Sequence, residues 1–193
     1  LTFACGIENP RVSTKEFLSG QFSIDASIIK SGERFSIIAS SSRLLAIDID
    51  QAISPAKLIE LLASFDLVII DTPTGVSRIT TYFMASADLI VLPSTTEILS
   101  LRGALNSKDY AESAGHSGQL QLLITKATQV LDDEFKSLIG DDFVLLEPTI
   151  RSSLQVSAAQ SQAMSVLTLD AKSEVAADYR EVTYSLLEKL ELI

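Results

Sequence analysis

The chemistry this chain can do is concentrated in 65–75, FDLVIIDTPTG, where a hydrophobic run ends in Asp71 and a tight Thr72-Pro73-Thr74-Gly75 turn follows. In open α/β sheets ligands sit outside the carboxyl ends of the strands. An acidic residue there suits Mg2+, usually held through water, because magnesium prefers hard oxygen ligands and keeps part of its hydration shell. The competing reading, a carboxylate that caps a turn, is equally compatible with the residue pattern alone. Other reactive types carry less. His116, between Gly115 and Ser117-Gly118, reads as a solvated turn residue, and Cys5 as a small buried hydrophobe with no base beside it. Ser40-Ser41-Ser42 and Ser94-Thr95-Thr96 read as loop and N-cap hydroxyls. Asp48 and Asp50 resemble a D-x-D metal pair but fall in a predicted surface connection.

The elements that must position Asp71 follow from periodicity. From about Phe35 onward, short apolar runs alternate with helical stretches, as in βαβ units around a mainly parallel sheet. Strands are predicted over 34–39, 66–71, 88–93, 119–125 and 143–146. The run 66–71, DLVIID, is apolar on both faces, as a strand buried between two helix layers should be. Helices are predicted after Ser54-Pro55, over 78–87, over 97–114 up to Gly115, over 132–138 up to Gly140, and over 152–163 and 173–190. The opening 1–30 reads as a connector with a short helix at 13–18. No repeat, linker or low-complexity tract interrupts the chain, so residues 1–193 are expected to form one domain.

Composition bounds the rest. With 193 residues, 47% hydrophobic and 21% charged, the chain has the profile of a globular domain with one substantial core. A net charge of −10, from 15 basic and 25 acidic residues, repels nucleic acid and anionic lipid over most of the surface. Direct nucleic-acid binding is therefore not expected, and membrane contact is expected to be weak or through a partner. One cysteine excludes an internal disulfide, and one histidine beside it leaves little for a zinc site. Apolar runs such as 67–70 fall far short of the roughly 20 residues of a membrane span. A cytoplasmic location is the expectation. Leu1 in place of methionine suggests a processed or partial chain.

The order of motifs resembles the MinD/ParA family of deviant P-loop ATPases. Asp71-Thr72-Pro73-Thr74-Gly75 is similar to the family's Walker B-like segment. Upstream, Gly6-Ile7-Glu8-Asn9-Pro10 resembles its G-L-E-N-P connector, and Ile37-Ile38-Ala39-Ser40 its I-P-A-G-S strand end. Downstream, Ala87-Asp88-Leu89-Ile90-Val91-Leu92-Pro93 resembles A-D-x-x-I-V-x-T, and Glu147-Pro148-Thr149-Ile150-Arg151 stands where the family has I-P-x-D-x-x-V-R. Gln162-Ala163-Met164-Ser165-Val166 and the helix over 173–187 continue the match. Each piece alone is weak, but their order and spacing cover essentially the whole chain.

The resemblance implies an α/β fold of the P-loop NTPase kind, with a mainly parallel sheet and helices on both faces, binding ATP or ADP with Mg2+. Asp71 would order a water on the magnesium, 72–75 would form the switch turn, and Thr125, Lys126, Pro148, Ile150 and Arg151 would border the base. A nucleotide-dependent homodimer with protein partners, placing a division site, flagellum or pilus, is the implied role. Two departures stand against a complete match. No glycine-rich phosphate loop of the K-G-G-x-G-K-[ST] kind occurs, so roughly 40–50 residues, the size of one βαβ unit, are expected to be missing ahead of Leu1. The strand of that unit would lie beside the strand ending at Asp71, so its loss would leave two open edges. ATP hydrolysis is expected only if such a segment is supplied. Thr125-Lys126 also replaces an Asn-Arg pair, and a threonine cannot make a bidentate amide contact to adenine. The alternative is a non-catalytic relative that uses the same sheet as an interaction platform.

Overall fold

Helices of four to sixteen residues, most of them starting at a serine, and two separate sheets make up the computed structural model, which describes residues 2, 5–31, 35–75, 77–140 and 143–193. In chain order come α1 (Thr14–Leu18), α2 (Ile24–Ser27), β1 (Ile28–Lys30), β2 (Ser36–Ile38), 3-10 turns at Ser42–Ala46 and Ile49–Gln51, α3 (Pro55–Leu62) and α4 (Arg78–Met84). Then follow β3 (Leu89–Ser94), α5 (Ile98–Ser113), β4 (Gln119–Ile124), α6 (Asp133–Ile139), β5 (Val144–Leu146), α7 (Leu154–Ser161), α8 (Val166–Leu169) and α9 (Glu174–Lys189).

Local chemistry sets where the helices begin. Ser54 accepts a hydrogen bond from the Lys57 amide at 3.2 Å with Pro55 in the first turn, and Ser77 and Ser173 cap α4 and α9 in the same way. Ser13 forms a full capping box with Glu16, whose carboxylate accepts from both the Ser13 amide and hydroxyl. These bonds, opposed by burial and helped by Arg43, hold the Glu16 carboxyl below its ordinary range.

The parallel sheet runs β3-β4-β5, with Leu89 opposite Gln119 through Ser94 opposite Ile124. Its strands are apolar on both faces because helices cover both. Leu92, Leu122 and Ile124 pack with Leu101 and Ala104 of α5 and Ile139 of α6, while Leu146 packs with Ala159, Val175 and Val182 on the other face. This α/β layering agrees with the sequence expectation. Leu122 is fully buried at the sheet's centre. Leu122→Ala should lower stability by about 2–5 kcal/mol, read as a fall in the urea midpoint at unchanged slope.

A third cluster, around Phe17, Leu18, Leu58, Ile79 and Tyr82, belongs to α1, α3 and α4. Beside it β1 and β2 pair antiparallel, Ile28 opposite Ile38. The strand at 28–30 was not expected, since that stretch reads as part of a connector. The strand expected over 34–39 forms as Ser36–Ile38.

The expected strand over 66–71 does not form. Residues 67–70 run outside any strand, make no backbone hydrogen bond among the described residues, and leave Leu67, Val68 and Ile69 43%, 41% and 78% exposed. Apolarity on both faces records a burial requirement, but a strand also needs a paired edge, and no described strand lies against this one. Among the described residues the sheet is also unpaired along the outer side of β3. Asp88 and Ser94 offer their carbonyls to Gln119 and Thr125 of the β4 side. By alternation, Leu89, Val91 and Pro93 turn their backbone groups the other way, where no described strand pairs. Pro93 has no amide to lose there, which is why a proline fits in β3.

Candidate nucleotide site

Two groups of candidate residues sit at the carboxyl ends of the strand runs. Asp71 and the 72–75 turn are exposed and lead into α4. Gly75 takes a left-handed backbone, φ 85°, and its carbonyl lies 3.5 Å from the Thr80 hydroxyl inside the first turn of that helix. A side chain at Gly75 would meet open space, so the left-handed φ rather than crowding favours glycine there. The turn is thus anchored at its far end to the first turn of α4, and Asp71 stands exposed at its near end.

The second group follows β4 and β5. The Thr125 amide and hydroxyl both donate to the Ser94 carbonyl, at 2.7 and 3.2 Å. That hydroxyl is spent on tying β4 to β3. Lys126 is exposed, with φ 54°. Ala127 and Arg151 form an isolated parallel bridge, and the Ile150 amide donates to Ile124, so 125–127 and 150–152 are stitched into one rim. Ile150 itself is buried in the core under α9, and Pro148 follows a cis peptide bond. Thr125, Lys126, Ile150 and Arg151 are therefore brought together. Among the described residues no hydrogen bond links them to the 72–75 turn.

Arg151 is held by α9. Its amide and Nε donate to one oxygen of Asp178 at 3.0 and 2.7 Å, its Nη2 donates to the other at 2.9 Å, and Nη1 pairs with Glu174. Asp178 is only 6% exposed. Burial pushes its carboxyl upward, but the Arg151 hydrogen bonds outweigh that and leave it below the ordinary carboxylate range. Sequence reasoning missed this bidentate clamp, although an aspartate on the apolar side of the α9 pattern is its visible trace. A lowered folded value means the clamp stabilises above the unfolded carboxyl value and is lost as pH falls through the folded one. Asp178→Asn should cost about 1–3 kcal/mol at neutral pH, less than a fully buried pair because Arg151 is half exposed. Below about pH 4 the gap between variant and wild type should start to narrow, and it should close once pH has fallen through the lowered folded value, which denaturant melts across pH would record.

Other sequence candidates find structural roles. Asp48 caps the second 3-10 turn, and Asp50 pairs with Arg78 at 2.6 Å. His116, expected to be a solvated turn residue, is half-buried, its Nδ1 3.1 Å from the Met84 carbonyl, where it joins α4 to the start of β4. Among the described residues no group of three His, Cys, Asp or Glu side chains is arranged to hold a metal, and no helix is long and apolar enough to cross a membrane.

Against known proteins, a family model described as an AAA domain matches residues 1–113. The chain belongs to that family. An uncharacterized ATP-binding protein of Methanocaldococcus jannaschii is 32% identical over 112 residues, covering 56% of this chain and 42% of the relative. This chain thus spans less than half the length of that curated relative. Among solved structures, the septum site-determining protein MinD of Pyrococcus horikoshii, complexed with Mg-ADP, superposes with a TM-score of 0.72 at 18% identity. That match covers 94% of this chain and 76% of the MinD chain. A putative plasmid partition protein of Borrelia burgdorferi, bound to AMPPNP, gives 0.73 at 16% identity over 93% of this chain and 75% of the other. The fold is that of MinD/ParA-type P-loop ATPases, as the order of motifs implies.

Proposed function

We propose that residues 1–193 are the portion after the phosphate loop of a MinD/ParA-like nucleotide-switch ATPase domain that helps to place cellular machinery, such as a division site, flagellum or pilus. The observation that supports this is that 67–70 and the outer side of β3 both lack a described pairing partner, and that Asp71, directly after 67–70, is a carboxylate suited to magnesium. A parallel strand seated between them would carry whatever follows its carboxyl end to the neighbourhood of Asp71 and Ser94. The residues present fit that site only in part. Asp71 offers the hard oxygen a magnesium-bound water needs, and the 72–75 turn offers a hinge into α4. No glycine-rich run supplies amides to cradle phosphates, so no hydrolytic step is derived from these residues alone. In the complete protein Asp71 would order the magnesium's water, and Lys126 and 148–151 would border the base.

A second reading, a non-catalytic platform of the same fold, draws on Thr125 and Arg151. The threonine hydroxyl is donated to Ser94, and the arginine is committed to Asp178, so neither reaches out to a base. Titrating the full-length protein with a fluorescent ATP analogue, with and without Mg2+, separates the readings. Saturable, magnesium-dependent binding supports the switch. Absence of binding at millimolar analogue removes it and leaves the platform.

A further inference from the structure

Residues 125–127 and 148–151 make the rim that would border a base, and the fold itself consumes most of their hydrogen-bonding groups. The Thr125 amide and hydroxyl both donate to the Ser94 carbonyl. The Ala127 and Ile150 amides donate to the Ile150 and Ile124 carbonyls, at 3.0 and 2.9 Å, and the Ser152 amide takes the Ala127 carbonyl at 2.8 Å. Arg151 gives its amide, Nε and Nη2 to Asp178 and its Nη1 to Glu174. Pro148 has no amide hydrogen. Among the described residues, the polar side chains of this rim that stand outside these bonds are the exposed Lys126 ammonium and the half-buried Thr149 hydroxyl.

We propose that the nucleotide site, which rests on the switch reading above, takes purine nucleoside triphosphates without selecting the base, and that Thr125 is the position that sets this. Telling a 6-amino from a 6-oxo purine needs a donor and an acceptor fixed side by side, as an Asn or Gln amide presents to adenine, and such a pair is worth about tenfold or more against the wrong base. Neither remaining side chain does that. A hydroxyl donates or accepts by rotating, so Thr149 serves either purine. An ammonium on a flexible stem acts as a point charge and can reach N7, an acceptor that adenine and guanine share. Thr125 cannot present a fixed pair at all, because its one hydroxyl proton is directed at Ser94. Arg151, whose fork would favour guanine, is held by two carboxylates of α9. Affinity then comes from the phosphates and magnesium, which ATP and GTP have in common.

The test titrates the full-length protein, with Mg2+, against ATP and GTP analogues that carry the fluorophore on the ribose and leave the base intact. The two dissociation constants should agree within about threefold, less than 1 kcal/mol, and unlabelled ATP and GTP should displace either probe equally well. Lys126→Ala should change both affinities by the same factor. Thr125→Asn should shift the ratio toward ATP by about tenfold, since the new amide supplies the missing donor–acceptor pair. Its backbone amide still bonds Ser94, so its thermal melt should stay near wild type. A wild-type preference of more than about tenfold for either base overturns the proposal, and so does a Thr125→Asn variant that melts as wild type and keeps the wild-type ratio. Saturable binding of ATP alone sinks base indifference and leaves the switch standing, whereas no binding of either analogue at millimolar concentration removes both.

Discussion

Ile69→Asp is expected to destabilise the full-length protein by about 3–5 kcal/mol, the cost of an unpaired charge in a dry interior. Within 1–193 alone Ile69 is 78% exposed, and a charge placed at such a position normally changes stability by less than about 0.5 kcal/mol. The two expectations differ by several kcal/mol, so one denaturation curve decides between them. If a strand from elsewhere in the protein pairs with 67–70, Ile69 sits in a sheet covered by helices and the larger value holds. A companion substitution, Phe65→Ser at the head of the same run, reports less, because that residue precedes the apolar core of the segment. Should Ile69→Asp prove neutral in the full-length protein, the edge stays open there too, and the reading of 1–193 as part of a completed sheet fails. Expression of 1–193 by itself gives an independent check. Two open edges beside exposed Leu67, Val68 and Ile69 favour edge-to-edge association, so the isolated segment should aggregate where the full-length protein does not.

The sequence made the parallel sheet legible wherever the chain supplies both the strand and its neighbour. β3 and β4 read as apolar runs, a helix of sixteen residues joins them in parallel, and each stops where a polar turn begins. Serine caps and the glycine after α5 set helix limits to within a residue or two. What failed was pairing, not composition. DLVIID satisfies every local criterion for a buried strand, yet hydrogen bonds along its edges come from other segments, and no periodicity within 66–71 reveals whether those are present. The antiparallel pair of β1 and β2 was hidden for the reverse reason, since three-residue strands hold too few positions to show alternation. At the candidate site, motif order singled out Asp71, Lys126 and Arg151 as candidates, but it did not reveal that Arg151 is clamped by Asp178 or that the Thr125 hydroxyl turns back to Ser94. Those contacts link residues 27 and 31 positions apart and depend on how α9 and β3 are packed.

Asp71→Asn should leave the fold intact and remove the response to magnesium. The side chain is exposed and lies outside the core clusters, so its neutral isostere should shift the melting temperature by no more than a degree or two, equivalent to less than about 0.5 kcal/mol. Its function in the proposed site is electrostatic. A carboxylate orders magnesium-bound water through two acceptor oxygens, and an amide offers one acceptor and a donor that faces the metal unfavourably. If the full-length protein turns over ATP as proposed, the rate should therefore fall by about a hundredfold, the usual cost of removing one preorganised group that stabilises developing charge. Affinity for a fluorescent ATP analogue should drop when magnesium is present and hardly change in excess chelator, because nucleotide contacts other than the metal are untouched. Asp66→Asn, at the other end of the same run, serves as the control and should alter neither quantity. Turnover by Asp71→Asn at the wild-type rate would mean that this carboxylate does not face the metal, and the Thr72-Pro73-Thr74-Gly75 turn would then be a helix lead-in and nothing more.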